Sequence, residues 1–501
     1  MVDNSTTNNN QQLPGQDLLL RGGSQMVHHD ERGSKLPTGA WRPVLTATAY
    51  VLLAVAGPGV LYLAWTMAQL GWIAGPAAII LFSFLTYIAS IILCDFYFSP
   101  HDPAKRNPTY MHVIRSYLGA RGHSTANVKI CWVIQYLNLF VMASLFTGWA
   151  SDLMADIQWV SKCSPNNNND DVNVDDSNLS CWVYQKPYFI VFGVTQILLS
   201  QISEFRHLSW LTILCFGAFL IYSSIGVGLS LTKIAGNNWS IKGSIKGRQE
   251  RQGNILTRAK KTWLIFKALG YTADAFDFSS VLLEIEDTIG RGVAAQEAQK
   301  IMRKAIQYGL PAIACVCLFF GSLGYAALGE ESPEYIFLYG FYEPHWLLNI
   351  ASAAVVLNYA GAYQIFVQPI FAMFEKAAVK RFGPDNDFIK KKIKIWIYEF
   401  KLFQLVLRTF FVIVTTLLSM FLAIYLDILE LIKILASWPI VFYFPVKIYI
   451  MEKKIPMWSA RGLGLQIMSF GVLIVTIAMA AANIVDIFLQ GSYKPIKPNR
   501  Y

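Results

Sequence analysis

The stretch that decides the fold is AGPGVLYLAWTMAQLGWIAGP, residues 56–76. It is apolar along almost its whole length, yet Gly57, Pro58 and Gly59 follow one another within it. Glycine lowers helix stability, and proline removes a backbone donor and clashes with the preceding turn. The stretch is therefore either a loop or a helix with a built-in interruption, and the rest of the chain decides between them.

The composition favours a helix in a membrane. Of 501 residues, 54% are hydrophobic and only 15% are charged, which is too apolar for a soluble protein of this size. Apolar runs of about 20 residues, the length that spans a bilayer, recur from Leu45 to Leu489 with short connections. We therefore predict an all-α polytopic membrane protein with about eleven transmembrane helices, at 44–70, 74–97, 128–151, 188–203, 208–231, 263–288, 304–328, 345–374, 402–426, 428–450 and 464–489.

These runs indicate one membrane domain, residues 41–490, between two polar tails. Residues 1–40 are polar and low in complexity, without the apolar stretch of a signal peptide, so we expect a disordered cytosolic tail. Residues 491–501 form a short C-terminal tail. Nothing in the sequence indicates an oligomeric state.

The net charge of +10 is distributed between the apolar runs, which indicates contact with membrane lipids and no nucleic-acid partner. The positive-inside rule places the N-terminus in the cytosol and the C-terminus outside. It also places outside two acidic loops, 170–176 and the one holding Glu330, Glu331, Glu334 and Glu343. One loop violates the rule, because residues 233–261 would lie outside although they include eight Lys or Arg residues.

The predicted outer loops hold candidate modification sites. Cys163 and Cys181 share an acidic loop in an oxidising compartment, where they either pair as a disulfide or stay free. Asn178 and Asn238 each begin an Asn-X-Ser sequon, and each is either a glycosylation site or a chance match.

A second interruption, in the sixth predicted span, favours the interpretation that the Gly-Pro-Gly break forms part of a binding site. Unpaired backbone within a bilayer is tolerated only where it is buried in protein or lines a cavity, and many secondary transporters use such discontinuous helices. The alternative is a simple proline kink. The sixth predicted span, FKALGYTADAFDFSSVLLEIEDTI (266–289), is also unusually rich in small and polar residues, and spans one and six take matching places in two five-helix halves.

Asp274 and Asp277 are the chief candidates for chemistry, since carboxylates in a membrane are costly and usually functional. They form either a proton relay or a seat for a cationic substrate. Alternatively they lie in an aqueous vestibule, or they cap a half-helix that starts near Phe276.

Other polar residues in the spans allow two interpretations each. Asn138 either lines the cavity or belongs, like Gln135, to interhelical hydrogen bonding. Asp95 is either a gate or an interfacial anchor. All seven histidines fall in tails, loops or helix ends, so the sequence predicts no enzyme, no metal site and no cofactor.

Several long stretches, in order, resemble the plant amino acid permeases of the amino acid/auxin permease family. They are GVLYLAWTMAQLGWIAGP, LSQISEFRHLSWLTIL, YSSIGVGLSL, SVLLEIEDTI, GYAALG, GFYEPHW, GAYQIFVQPIF and SWPIVFYFPVKIYIMEKKIP, between Trp41 and Pro456. The resemblance implies five-plus-five inverted repeats with discontinuous helices 1 and 6, plus an eleventh helix. It also implies proton-driven amino acid uptake, usually across the plasma membrane, although an internal membrane is an alternative.

The resemblance further implies where the substrate binds. The amino acid's carboxylate would meet backbone amides freed at Gly57, Pro58, Gly59 and Val60. Its side chain would face helices three, six and eight. The residues that would contact the substrate there are Asn138, Asp274, Phe276, Asp277 and Ser279.

The chain departs from the family pattern at three places. Pro58 stands where relatives commonly have Ser or Thr, so one amide is lost, and Tyr50 replaces a common histidine. In helix six a family acid is replaced by Tyr271, while Asp274 and Asp277 are added. We hypothesise a more negative pocket that favours cationic over acidic substrates. The leading interpretation is a proton-coupled amino acid symporter, and the alternative is a transporter-fold sensor without significant flux.

Overall fold

The computed structural model describes residues 41–55, 58–98, 106–119, 125–163, 186–202, 209–251, 254–255, 258–290, 294–341, 343–383, 386–395, 398–421, 426–456 and 458–490. These residues are mainly helical. The α-helices are α1 (Trp41–Val55), α2 (Leu63–Cys94), α3 (Tyr110–Ile114), α4 (Thr125–Cys163), α5 (Lys186–Ser200), α6 (Ser209–Gly236), α7 (Arg258–Asp274), α8 (Leu282–Gly290), α9 (Ala295–Leu328), α10 (Ile336–Tyr339), α11 (His345–Phe382), α12 (Asp387–Lys390), α13 (Leu402–Phe421), α14 (Leu426–Trp438), α15 (Phe444–Glu452) and α16 (Ala460–Gln490).

Shorter elements complete the architecture. Single turns of 3₁₀ helix occupy Pro58–Tyr62, Asp95–Tyr97 and Gly329–Glu331, and π-helical turns occupy Arg115–Gly119 and Pro439–Tyr443. Strands β1 (Glu250–Arg251) and β2 (Asn254–Ile255) pair antiparallel, with Glu250 opposite Ile255. Strands β3 (Lys392–Ile395) and β4 (Tyr398–Lys401) pair antiparallel, with Lys392 opposite Lys401. Both hairpins lie between predicted spans.

The chain is an all-α polytopic membrane protein, as the sequence predicts. Among the described residues, 8 helices are long and apolar enough to cross a membrane, and the apolar helices Pro43–Val55 and Lys186–Ser200 are shorter. The exact count of eleven spans stays a prediction. Two of the predicted spans are interrupted: α1 stops at Val55, and α7 stops at Asp274.

Gly71 separates the first two spans inside what is otherwise a continuous helix. Its φ of 83° lies in the left-handed region, where a residue with a side chain is strained. The amide of the next residue, Trp72, donates to the carbonyl of Ser244 at 3.3 Å. A Cβ on Gly71 would lie 2.5 Å from the backbone nitrogen of Gly247, so the turn needs glycine to let this loop approach.

The connection between α6 and α7 lies at the same end of the bundle as Gly71. It is the basic loop that violates the positive-inside rule. Arg248 Nε donates to the carbonyl of Glu330 at 2.5 Å, and the Lys242 amide donates to the carbonyl of Ala326 at 3.0 Å. The basic connection and the loop containing Glu330 therefore share one end.

Candidate functional site

The two helix interruptions meet in the middle of the bundle. A Cβ added to Gly59 would lie 2.6 Å from the backbone nitrogen of Ala275, so the two interrupted segments touch backbone to backbone. Only glycine allows this approach, because real Cβ atoms are not found so close to another chain. Gly57 lies outside the described residues, whereas Val60, in the 3₁₀ turn after the break, is fully buried.

The second interruption runs from Ala275 to Val281 and is buried in protein. The carbonyl of Ser280 accepts a hydrogen bond from Gln135 Nε2 on α4 at 2.7 Å. The Ala275 amide donates to the carbonyl of Tyr271 at 3.1 Å. The Ala275 bond is the last helical bond of α7, whereas the bond from Gln135 replaces part of the lost helical ladder, as backbone at membrane depth requires. Because the next α-helix begins at Leu282, the interpretation that the aspartates cap a half-helix starting near Phe276 is wrong.

A buried lysine faces the two aspartates. Lys433 on α14 forms an ion pair with Asp274 Oδ1, and only 6% of its side chain is exposed. Its ammonium also lies 5.7 Å from the centre of the Trp149 ring on α4. Both contacts stabilise a cation at membrane depth. The negative charge of Asp274 is therefore compensated inside the protein.

Asp277 has a different environment from Asp274. Ser437 Oγ, one helical turn after Lys433, donates to Asp277 Oδ2 at 2.9 Å. Asp277 Oδ1 is buried and has no hydrogen-bond partner among the described residues. With all three charged groups ionised, two carboxylates and one ammonium leave one excess negative charge. A single proton on Asp277 would make the cluster neutral.

Unused hydrogen-bonding capacity is concentrated on the elements next to this cluster. Within the described part of the chain, Asn138 Oδ1 and Gln135 Oε1 on α4 and Ser279 Oγ in the break are buried without a partner. Phe276, between the two aspartates, is fully buried. Since buried polar atoms are nearly always satisfied, atoms left without a partner suit a ligand.

The position of Tyr50, where relatives commonly have histidine, lies in α1. Tyr50 is 2% exposed, and its hydroxyl is hydrogen-bonded to Thr212 on α6. The residue thus ties the first half-helix to α6.

Aromatic rings and an ion pair close the bundle at the Gly71 end. The hydroxyls of Tyr62 and Tyr335 are 2.5 Å apart, and the rings of Tyr62 and Tyr271 stack at 4.3 Å. Beside them, Lys267 Nζ on α7 lies 3.3 Å from Glu334 Oε1. Burial, followed by the field of Tyr359, raises the pKa of Tyr335 well above its usual value, so its hydroxyl stays protonated. These contacts join both half-helices on this side to the α9–α11 connection.

The opposite end is also closed. Tyr97 Oη donates to Asp287 Oδ1 at 3.2 Å, and Arg106 Nη1 donates to the carbonyl of Gly290 at 2.8 Å. Asp95, predicted as a gate or an anchor, forms an ion pair with Arg303 on α9, and both side chains are partly exposed. The centre with the two breaks therefore lies between two ends that are each bridged by side-chain contacts.

Comparison with known proteins identifies this arrangement. Residues 42–489 match the family described as "Transmembrane amino acid transporter protein". The chain belongs to this family. It is 41% identical to "Amino acid permease 3" of Arabidopsis thaliana over 98% of this chain and 99% of the relative. It is 39% identical to "Amino acid permease 2" of the same plant over 93% of this chain and 92% of the relative.

A solved structure with a similar outline is the "Crystal structure of MhsT in complex with L-phenylalanine". It covers 89% of this transporter and 100% of the other chain, at 10% sequence identity and a TM-score of 0.49. The family match confirms the resemblance stated from the sequence, and the transporter is a multi-pass membrane protein of a plant permease family.

The structure places some predicted residues of this transporter together and leaves others untested. Gly59, Asp274, Phe276, Asp277 and Ser279 lie in or directly beside the two breaks. Asn178 and Cys181 lie outside the described residues, and Cys163 ends α4 without a described side chain, so the disulfide stays a prediction. Asn238 is exposed in a turn after α6 with a φ of 51°, and its glycosylation stays a prediction.

Sequence reasoning missed three charged side chains that the fold buries. They are Lys433 on α14, Glu286 on α8 and Arg408 on α13, and each is less than 5% exposed. A signal was present, because an ionisable residue inside an apolar run is a functional candidate by default. The described residues hold no group of three or more His, Cys, Asp or Glu that could bind a metal ion.

Proposed function

We propose that the chain is a proton-coupled symporter that imports amino acids across the plasma membrane by alternating access. The observation that carries this proposal is the charge cluster of Asp274, Asp277 and Lys433, at the point where the two interrupted helices meet. Family membership supports amino acids as the substrate class. The proposal includes proton coupling because Asp277 is the one carboxylate of the cluster that is not in the Asp274–Lys433 ion pair.

Asp277 is the proton acceptor in this scheme. Asp274 is paired directly with Lys433, whereas Asp277 accepts from the Ser437 hydroxyl through Oδ2, and its Oδ1 has no hydrogen-bond partner among the described residues. The Ser279 amide and the field of Lys433 also act on Asp277. A proton from outside makes the cluster neutral, which lowers the cost of enclosing it between two closed ends. Asp274 takes part in coupling by holding the compensating ammonium in place.

The substrate binds across the breaks. The first amides after a helix break have no helical partner, so those of Gly59 and Val60 suit the amino acid's carboxylate, although Pro58 offers none. The substrate side chain then reaches Asn138, Phe276 and Ser279. Since the cluster carries either no charge or one negative charge, neutral and cationic side chains are favoured over acidic ones.

Transport follows from opening one closed end at a time. Proton and substrate enter when the Tyr62–Tyr335 contact opens, and they leave when the Tyr97–Asp287 contact opens. We place the N-terminus in the cytosol and the C-terminus outside, so the Gly71 end faces outward and the Asp95 end faces the cytosol.

Uptake in cells tests this proposal. Yeast that lacks its own amino acid uptake should accumulate radiolabelled neutral and cationic amino acids when it expresses this chain, and a protonophore should abolish the accumulation. The variant Asp277→Asn, which leaves the Asp274–Lys433 pair intact, should lower the ratio of lysine to glutamate uptake, because it removes the excess negative charge. Binding of amino acids without uptake by surface-expressed protein would contradict the proposal and favour a sensor.

A further inference from the structure

Glu286 is a fully buried acid that the scheme above does not use. It lies on α8, which leads from the second break to the closed Asp95 end, and its exposed fraction is 0%. The thiol of Cys94 on α2 lies 3.5 Å from Glu286 Oε1 and donates only a weak hydrogen bond. Glu286 Oε2 has no hydrogen-bond partner among the described residues. Its carboxyl group thus lacks the donors that an ionised form requires.

The charges around Glu286 do not compensate a carboxylate. Among the groups with the strongest fields on Glu286, Asp95 at the end of α2 and Asp287 on α8 are acidic, and Arg303 on α9 is the cation. Arg303 is already paired with Asp95 and is 47% exposed. A buried carboxylate without its own cation costs several kcal/mol. A proton on Glu286 removes this cost in the present conformation.

Its neighbour Glu284 provides a comparison on the same helix. Glu284 is 7% exposed, and its Oε1 accepts a hydrogen bond from the Tyr110 amide at 3.3 Å. An amide donor stabilises an ionised carboxylate better than a thiol does. Glu286 is thus the less compensated of the two acids.

The position of Glu286 connects it to the gate at this end. The adjacent residue, Asp287, accepts the hydrogen bond of Tyr97, and Arg106 holds the last carbonyl of α8 at Gly290. When these contacts open, water reaches the end of α8. The environment of Glu286 then changes from dry protein to water.

We propose that Glu286 is the group from which the transported proton leaves toward the Asp95 end. In this step the O–H bond of the Glu286 carboxyl breaks, the electron pair stays on the carboxylate, and a water molecule admitted by the open gate takes the proton. The carboxylate regains one proton from the central site before the gate closes over it. This inference rests on the proton-coupled symport proposed above.

Reconstituted full-length protein separates proton release from substrate movement. Proteoliposomes are given a radiolabelled mixture of the protein amino acids, either with a pH gradient or with unlabelled amino acids inside as counterflow. Counterflow needs no proton release, since the protonated carrier returns loaded. Glu286→Gln should lower gradient-driven accumulation by about tenfold or more and keep counterflow within about twofold of wild type.

Two further variants make the result specific. Glu286→Asp restores an acid and should recover gradient-driven uptake in part, whereas Glu284→Gln should keep both activities. If Glu286→Gln keeps both activities or loses both, the assignment to Glu286 is wrong. It is also wrong if Glu284→Gln shows the same selective loss of gradient-driven uptake as Glu286→Gln. A wild-type protein with counterflow but no gradient-driven uptake would instead overturn proton symport itself, and this inference with it.

Discussion

At the scale of single residues, Lys433 sets the charge balance of the centre. It lies in a mainly apolar stretch of α14, far in sequence from Asp274, and the fold brings the two side chains into contact. It pairs with one of two neighbouring aspartates, so the charge of Asp274 is compensated and that of Asp277 has no ion-pair partner of its own. The pocket is therefore less negative than the two aspartates alone suggest, because Asp274, Asp277 and Lys433 together carry one excess negative charge.

Lys433→Met is expected to abolish uptake and lower the amount of folded protein. Removing one partner of a buried ion pair leaves the other charge uncompensated, at a cost of about 3–5 kcal/mol. The double variant Asp274→Asn/Lys433→Met removes both charges and should recover folded protein above the level of either single variant. Size-exclusion profiles and surface labelling measure this recovery, and a double variant that is no better than Lys433→Met alone would contradict the pairing.

Gly59→Ala tests the contact between the two breaks. The new methyl group would lie 2.6 Å from the Ala275 nitrogen, so one backbone has to move. We expect a cost of about 1–3 kcal/mol, as for overpacked cores, and a strong loss of uptake. Gly217→Ala on α6 is the matched control, because its methyl group would meet nothing within 4 Å. Equal uptake by the two variants would show that the breaks are not in contact.

At the scale of elements, the end of α5 depends on a side chain from α13, a helix that lies far away in the sequence. α5 ends at Ser200, three residues before the predicted end of the fourth span. Arg408 on α13 is 2% exposed and donates from Nη1 to the carbonyls of Ser200 at 2.8 Å and Ile202 at 3.2 Å. Its Nη2 also lies 2.8 Å from Glu375 Oε1. One buried arginine thus satisfies the end of α5 and an acid on α11.

Arg408→Met is expected to destabilise the protein more than any change at an exposed ion pair. It leaves two carbonyls and Glu375 Oε1 without their donor, at a cost of about 3–5 kcal/mol, while Glu375 Oε2 keeps its bond from Gln404. Arg303→Met breaks the exposed pair with Asp95, which is worth about 0–1 kcal/mol. Thermal unfolding in detergent should show a clearly lower midpoint for Arg408→Met only. Equal midpoints for both variants would mean that Arg408 does not hold α5.

The elements themselves could largely be predicted from the sequence. Apolar runs gave the helices, and the Gly-Pro-Gly motif and the polar cluster at 270–280 gave the two interruptions, since these are local properties of the chain. The partners of the polar residues could not be predicted in the same way. Lys433 meets Asp274, and Arg408 meets α5, through packing between helices that lie far apart in sequence. Glu286 was missed because its burial depends on α2 and α9.

At the scale of the whole molecule, closure at both ends explains how one site serves two sides of a membrane. The Tyr62–Tyr335 contact and the Tyr97–Asp287 contact lie at opposite ends of the interrupted helices, and both are formed in this structure. Each involves few groups, so either end can open without unfolding the bundle. In the symport proposed above, a proton controls which opening is favourable by neutralising the central cluster before it is enclosed.

The most direct test of this account is substrate-evoked current in voltage-clamped oocytes that express wild type or Asp277→Asn. Neutral, cationic and acidic amino acids are offered at acidic and near-neutral external pH. Lower pH increases proton occupancy of Asp277, so wild type should give an inward current that grows on acidification, while the variant should lose this growth. No current from wild-type protein at the surface, or an undiminished pH dependence in Asp277→Asn, would contradict the central claim.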